Sequence, residues 1–177
     1  MASVEQLLDT FHRMAAEANF TDYFQCFLGE NSRFLGTDAE ENWTIKEFKE
    51  FAGPYFEASR EKGKPAWRYT PVEGSRKIDY ESNVAYFDEI LTSESFLTRT
   101  RGNGVAIKNG ENWFLLQYHL SFPIPNPLAK NFCSIIHSFE NAEEGVATDE
   151  EAEKKLLELL MRRAHERKKQ EQEAAAS

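Results

Sequence analysis

The sequence predicts an α+β domain in which N-terminal helices pack on a curved antiparallel sheet, with extra helices at the C-terminal end. Three observations predict it. Apolar residues recur at helical spacing as far as Phe56, and from Trp67 the pattern changes to alternation. The stretch from Arg101 to Pro125 then reads as a β-hairpin closed at Asn109-Gly110, followed by a long strand that Pro123 and Pro125 end. Aromatic residues make up 13% of the chain, with 14 Phe, enough large rings to fill the space between a curved sheet and its covering helices.

Ser3-Val4-Glu5-Gln6 has the form of a capping box, and Val4, Leu7, Leu8, Phe11, Met14, Ala15 and Ala18 follow as one apolar stripe of a first helix. Thr21 is the expected cap of a short second helix that Gly29 ends. Arg33 to Gly36 reads as a short strand leading into a polar loop from Thr37 to Asn42. A second capping box, Thr44-Ile45-Lys46-Glu47, starts the next helix, with Trp43 and Phe48 at the staple positions and Pro54 predicting a kink. Trp67 to Tyr80 is a strand interrupted near Gly74, and Val84 to Leu91 is a strong strand. In that strand Val84, Tyr86, Asp88 and Ile90 share one face, and Ala85, Phe87, Glu89 and Leu91 share the other. Phe96 to Lys108 and Trp113 to Phe122 complete a meander, with Gly102 and Gly104 marking a bulge or bend. Asn126-Pro127 starts a helix lined by Leu128, Phe132, Ile135, Ile136 and Phe139, and Thr148-Asp149-Glu150-Glu151 caps a last charged helix. The expected organisation is a domain over 1–126, a helical extension and acidic linker over 127–147, and a charged helix with a disordered tail over 148–177.

The net charge of −9 argues against a nucleic-acid partner, because phosphate binding needs clustered Lys and Arg. The one dense basic run, Arg162 to Lys169, reads as a solvated helix face. No apolar run is long enough to cross a bilayer, and the opening Met-Ala-Ser-Val-Glu lacks a charged-then-apolar signal, so no membrane partner is expected. Cys26 and Cys133 match no metal spacing and are expected as reduced thiols in a cytoplasmic protein. No cofactor or metal is expected.

Several stretches carry a family resemblance: Phe34-Leu35-Gly36-Thr37-Asp38, Tyr86-Phe87-Asp88-Glu89, Arg101-Gly102-Asn103-Gly104-Val105, and Trp113 through Tyr118-His119-Leu120-Ser121-Phe122-Pro123-Ile124-Pro125. With the order helix, short helix, strand, helix and meander, residues 3–125 resemble the SnoaL-like branch of the nuclear-transport-factor-2-like superfamily, in particular its uncharacterised bacterial members. The resemblance implies a cystatin-like cone, a helix-capped cavity and a homodimer through the outer sheet face. The superfamily spans isomerases, cyclases, dehydratases and association domains, so the fold leaves function open. Steroid isomerases place a base carboxylate after the first strand, where this sequence offers Asp38. They place a tyrosine on the first helix, where it offers Phe11, His12 and Met14.

Candidate chemistry follows from residue type and face. His119 is assigned the face of Trp113, Leu115 and Gln117, as a general acid–base in the cavity or a hydrogen-bonded structural histidine. Tyr86 and Asp88 share a face, as a base and oxyanion donor, or with Asp88 paired to Arg99 or Arg101. Arg99 and Arg101 are candidates for binding a ligand carboxylate. Trp43 and Trp67 are candidate cavity walls, whereas His12 and His137 are expected on helix surfaces. The leading expectation is a domain that binds a small apolar or carboxylate-bearing molecule in the cone. The alternatives are a cofactor-free isomerase, cyclase or dehydratase using Asp88 or His119, and a dimeric interaction module without catalysis.

Overall fold

The computed structural model describes residues 1–93, 96, 98–140 and 154. Its first compact unit runs from Met1 to Pro123, and the second begins at Ile124. In the first unit, α1 (Val4–Ala16) starts where the Ser3 side chain accepts from the Gln6 amide at 3.2 Å. It buries Val4, Leu7, Leu8, Phe11, His12, Met14 and Ala15. His12 is thus only 7% exposed, which corrects its expected place on a helix surface. The cap of α2 (Phe20–Gln25) is Asn19, two residues before the expected Thr21. The Asn19 side chain accepts from the Asp22 amide at 3.1 Å, and the helix stops at Gln25 rather than running on to Gly29.

β1 (Arg33–Leu35) is followed by β2 (Asn42–Thr44), a strand made of the end of the expected polar loop and the staple and cap residues of the next helix. Thr44 then caps α3 (Ile45–Glu61) with both halves of the capping box formed, and the Trp43 and Phe48 rings stack with centroids 5.5 Å apart. Pro54 sits inside α3 without ending it.

The strands β3 (Tyr69–Pro71), β4 (Lys77–Glu81), β5 (Val84–Ser93), β6 (Thr100–Asn109) and β7 (Asn112–Ser121) join β1 and β2 in one curved, open sheet. The order is β2-β1-β7-β6-β5-β3, with β4 also paired to β5. Only the β1–β7 pairing is parallel among these, because the chain returns to that edge from α2 rather than through a hairpin. The β6–β7 loop is Gly110-Glu111, one residue later than the Asn-Gly pair suggests, and Gly110 takes the positive φ of 60° that the tight turn needs.

Two local features decide what faces the interior. Opposite Val105 and Ala106 the register shifts, so that Leu116 is an extra residue in β7. Trp113 and Leu115 are buried before this bulge, and Tyr118 and Leu120 are buried after it. The second feature is a run of small side chains on β6. Phe87 and Tyr118 both pair with Gly104, while Glu89 pairs with Gly102. A methyl group at Gly102 would meet the Tyr118 hydroxyl at 2.1 Å, so the glycine leaves the space that the phenol occupies. The rings therefore lie down on the middle of the sheet, with α1, α2 and α3 closing over them in one hydrophobic core.

The second unit carries α4 (Asn126–Glu140), on which Cys133 and Ile136 are exposed. The helix expected from Thr148 onward lies outside the described residues apart from Lys154, which is helical. Among the described residues no helix is long and apolar enough to cross a membrane.

Candidate functional site

The concave side of the first unit holds a cavity of about 240 Å³. Its walls come from α1 (Phe11, His12), α2 (Tyr23), β1 (Phe34), β2 (Trp43) and α3 (Phe48, Phe51), with Trp67, Tyr69, Phe96 and Tyr118 closing it. Many of these rings are close to parallel. Phe34 stacks on Phe48 at 3.9 Å and 12°, Trp43 on Phe48 at 5.5 Å and 10°, and Phe48 on Trp67 at 6.0 Å and 16°. Trp43 in turn stacks on Phe51, which is partly open to solvent, at 4.7 Å and 23°. These stacked rings make a continuous aromatic part of the cavity lining.

A charged network lies behind the His12 part of the lining. Glu89 on β5 is 0% exposed, and both of its carboxylate oxygens are taken. His12 Nε2 lies 2.6 Å from Oε1, and Arg76 Nε donates to Oε2 at 2.8 Å. Arg76 continues outward, its Nη1 donating to Asp9 Oδ1 at 2.7 Å. Burial by itself would raise the Glu89 carboxyl, but the His12 hydrogen bond and the Arg76 charge outweigh it and hold the group below its ordinary value. An ionised carboxylate only accepts, so His12 carries its proton on Nε2, and in the neutral ring Nδ1 is left as the acceptor.

Tyr118 adjoins this pair, its ring centroid 6.3 Å from that of His12 at 76°. Burial, with the nearby Glu89 charge, holds its phenol well above the usual range, so it remains an O–H donor. Its hydroxyl is nevertheless buried with no hydrogen-bond partner among the described residues, as is Thr100 Oγ1. A buried polar group without a partner is a cost to stability. Tyr118→Phe is accordingly expected to leave the urea midpoint unchanged or to raise stability by about 1 kcal/mol. A loss above that size would mean that the hydroxyl is bonded in solution.

The predicted site residues divide between two places. Trp43 and Trp67 line the cavity. Tyr86 and Asp88 lie on the opposite, outer face of β5, where Tyr86 is 52% exposed. There Asp88 Oδ1 pairs with Arg101 Nε at 3.2 Å, the ion-pair reading of these residues. Arg99 is exposed and precedes β6, and neither it nor Arg101 borders the cavity. His119 is corrected as well. The Leu116 bulge turns it to the face opposite Trp113 and Leu115, where it pairs with Leu35 and Asn103 and does not border the cavity. The polar and charged residues of the cavity lining include His12, Thr37, Glu41, Arg68, Tyr69 and Ser93, with Glu89 behind His12, whereas the Tyr118 hydroxyl is buried against Gly102. Cys26 adds no reactivity, since burial, with Asp22 nearby, pushes its thiol up to about 12. Among the described residues no group of three or more His, Cys, Asp or Glu comes together as a metal site.

Helices closing a curved, open sheet over an aromatic cavity define the class of cystatin-like, NTF2-like domains. A model of the SnoaL-like domain matches residues 4–125, and the chain belongs to that family. Solved structures with the same fold include an NTF2-like protein of unknown function from Pseudomonas putida, at 8% identity and TM-score 0.53, covering 70% of this chain and 86% of that one. A protein of unknown function from Pectobacterium atrosepticum matches at 17% identity and TM-score 0.53, covering 70% and 90%. A protein with a cystatin-like fold from Nostoc punctiforme matches at 14% identity and TM-score 0.52, covering 71% and 92%. At these identities the likeness is one of fold. No curated protein matches the sequence.

Proposed function

We propose that the chain is a ligand-binding SnoaL-like domain whose cavity takes a small, flat, mostly apolar molecule. The observation that carries this reading is the set of near-parallel rings, Trp43, Phe48, Phe34 and Trp67, along a space of about 240 Å³. A planar ring entering beside them gains stacking and apolar burial together. Arg99 and Arg101 do not border the cavity, which removes their support for a carboxylate-bearing ligand. The free thiols of Cys26 and Cys133 suit a reducing cytoplasm.

Native mass spectrometry beside a denatured control tests the proposal, together with quenching of tryptophan fluorescence by flat bicyclic aromatics. Bound mass or saturable quenching is expected, and Trp67→Ala is expected to weaken binding about tenfold, near the value of one stacked pair. No retained molecule and no quenching by any flat probe would sink the idea.

We further propose a homodimer through the outer sheet face, where Tyr86 and Leu116 expose apolar surface around the Asp88–Arg101 pair. Sedimentation of the wild type is expected to give a dimer, and Leu116→Glu a monomer. A monomeric wild type at micromolar concentration would refute it.

A further inference from the structure

The aromatic run that walls the cavity does not stop at the core. α3 carries Phe48, Phe51 and Tyr55 at intervals of three and four, so their rings follow one another along the helix. Phe48 is buried, whereas Phe51 is 41% exposed and Tyr55 is 53% exposed. Ring contact continues outward all the same, from Trp43 to Phe51 at 4.7 Å and from Phe51 to Tyr55 at 5.3 Å. Elsewhere the solvent positions of α3 hold charges, among them Lys46, Glu50 and Glu57, as a wet helix face should. A second exposed pair comes from other segments. Phe96, which follows β5, meets Phe122, directly after β7, edge-on at 5.0 Å and 79°.

Both pairs belong to the opening of the cavity. The space is partly open to solvent, and the exposed members of its lining are Thr37, Phe51, Arg68 and Phe96. Phe51 and Phe96 are therefore shared between the wall and the surface, and Tyr55 and Phe122 extend them outward. Among the described residues the exposed phenylalanines are Phe51, Phe96 and Phe122, and all of them stand here. A single exposed apolar residue needs no explanation, but rings gathered from separate segments at the edge of a cavity mark a contact surface. Volume decides what touches it. The space of about 240 Å³ falls below the roughly 300–1,000 Å³ of sites that enclose a drug-sized ligand. It has room for one flat group, and any larger ligand must continue over the rings outside.

We infer that the opening is a second subsite for the same ligand, and that this ligand has two parts. A flat bicyclic head lies in the cavity, and an aromatic arm on a short link lies against Phe51–Tyr55 and Phe96–Phe122. The inference rests on the cavity reading above and adds the length of the ligand to it. An aromatic arm suits these rings better than an alkyl chain, because it gains offset or edge-on ring contacts and has fewer rotors to immobilise.

7-Methoxycoumarin and 7-benzyloxycoumarin share the head and differ by one phenyl group on the arm, and both can be titrated by tryptophan quenching. The full chain is expected to bind the benzyloxy compound at least about tenfold more tightly. The double variant Tyr55→Ala/Phe122→Ala removes two rings that lie outside the cavity lining. It is expected to keep the wild-type affinity for the methoxy compound and to bind the two coumarins within about twofold of each other. Leu28→Ala, which truncates an exposed apolar residue that does not border the cavity, is expected to retain the full preference. Should the double variant not fold, Tyr55→Ala carries the test, since it changes only an exposed helix position. It is expected to weaken the benzyloxy compound alone, by about threefold. The sedimentation of both variants is expected to match the wild type. Equal binding of the two coumarins by the wild type, or full preference in a folded variant, overturns the inference and leaves the cavity reading standing. A change of oligomeric state with the preference retained also overturns it, and assigns the exposed rings to a contact between copies. Binding of neither coumarin overturns the inference together with the reading it rests on.

Discussion

Glu89→Ala is expected to lower the free energy of unfolding by about 3–5 kcal/mol, the cost of removing one partner from a buried ion pair. The substitution leaves the Arg76 guanidinium, half-buried and with its Nη2 already without a partner among the described residues, without the anion that faces it, and leaves His12 Nε2–H without that acceptor. The remaining Arg76–Asp9 contact recovers little, because Asp9 lies largely in solvent. Glu89→Gln keeps an amide oxygen for one partner and should lose less. The same carboxylate sets an acid limit. Its folded value lies below the ordinary one, so its stabilisation is complete above the ordinary carboxylate range and drains away as pH falls through that range toward the folded value. Urea midpoints measured from neutrality into acid should therefore fall for the wild type and fall less steeply for Glu89→Gln. A Glu89→Ala variant within 1 kcal/mol of wild type would show that the network bears no weight.

The sequence reading missed the buried pair by placing His12 on a helix surface, although each member left a signal. In β5, Glu89 lies in alternation with Ala85, Phe87 and Leu91, a carboxylate on an otherwise apolar face. In α1, His12 stands four residues after Leu8 and three before Ala15, within the apolar stripe. Each is a polar residue in a core position, which is the sign of a paired buried group. Alternation says which residues share a face but not which face is inside. The choice of Tyr86 and Asp88 as cavity residues went wrong at that point, since the apolar company of Glu89 marked the other face as interior.

The placement of His119 went astray for a different reason. A strict period of two from Trp113 carries it inward, yet one extra residue at Leu116 reverses every side chain beyond it. The sequence around the bulge, Leu115-Leu116-Gln117, has no glycine or proline to mark the slip. The fold was legible because caps, turns and periodicity are local. The Thr44 capping box and the Trp43–Phe48 staple formed as read. Strand β2 escaped because its three residues, Asn42 to Thr44, pair with β1 across a loop and have too little length for any period to show.

Phe48→Ala is expected to cost about 3–5 kcal/mol and, unlike most core truncations, to be partly repaired by an added ligand. Phe48 is 2% exposed and stacks on Phe34, Trp43 and Trp67, so its removal takes stacking from three rings at once. Those neighbours are held by separate elements, β1, β2 and the segment before β3, and do not collapse together into the gap. The new void also opens into the existing cavity, since Phe48 is part of its wall. A flat aromatic such as indole should fill the widened cavity and raise the melting temperature of Phe48→Ala by mass action, with little effect on the wild type. The comparison separates the two roles of the ring. A large loss of stability with no rescue by indole would assign Phe48 to the core alone, whereas rescue shows that the cavity wall and the hydrophobic core are one continuous aromatic stack.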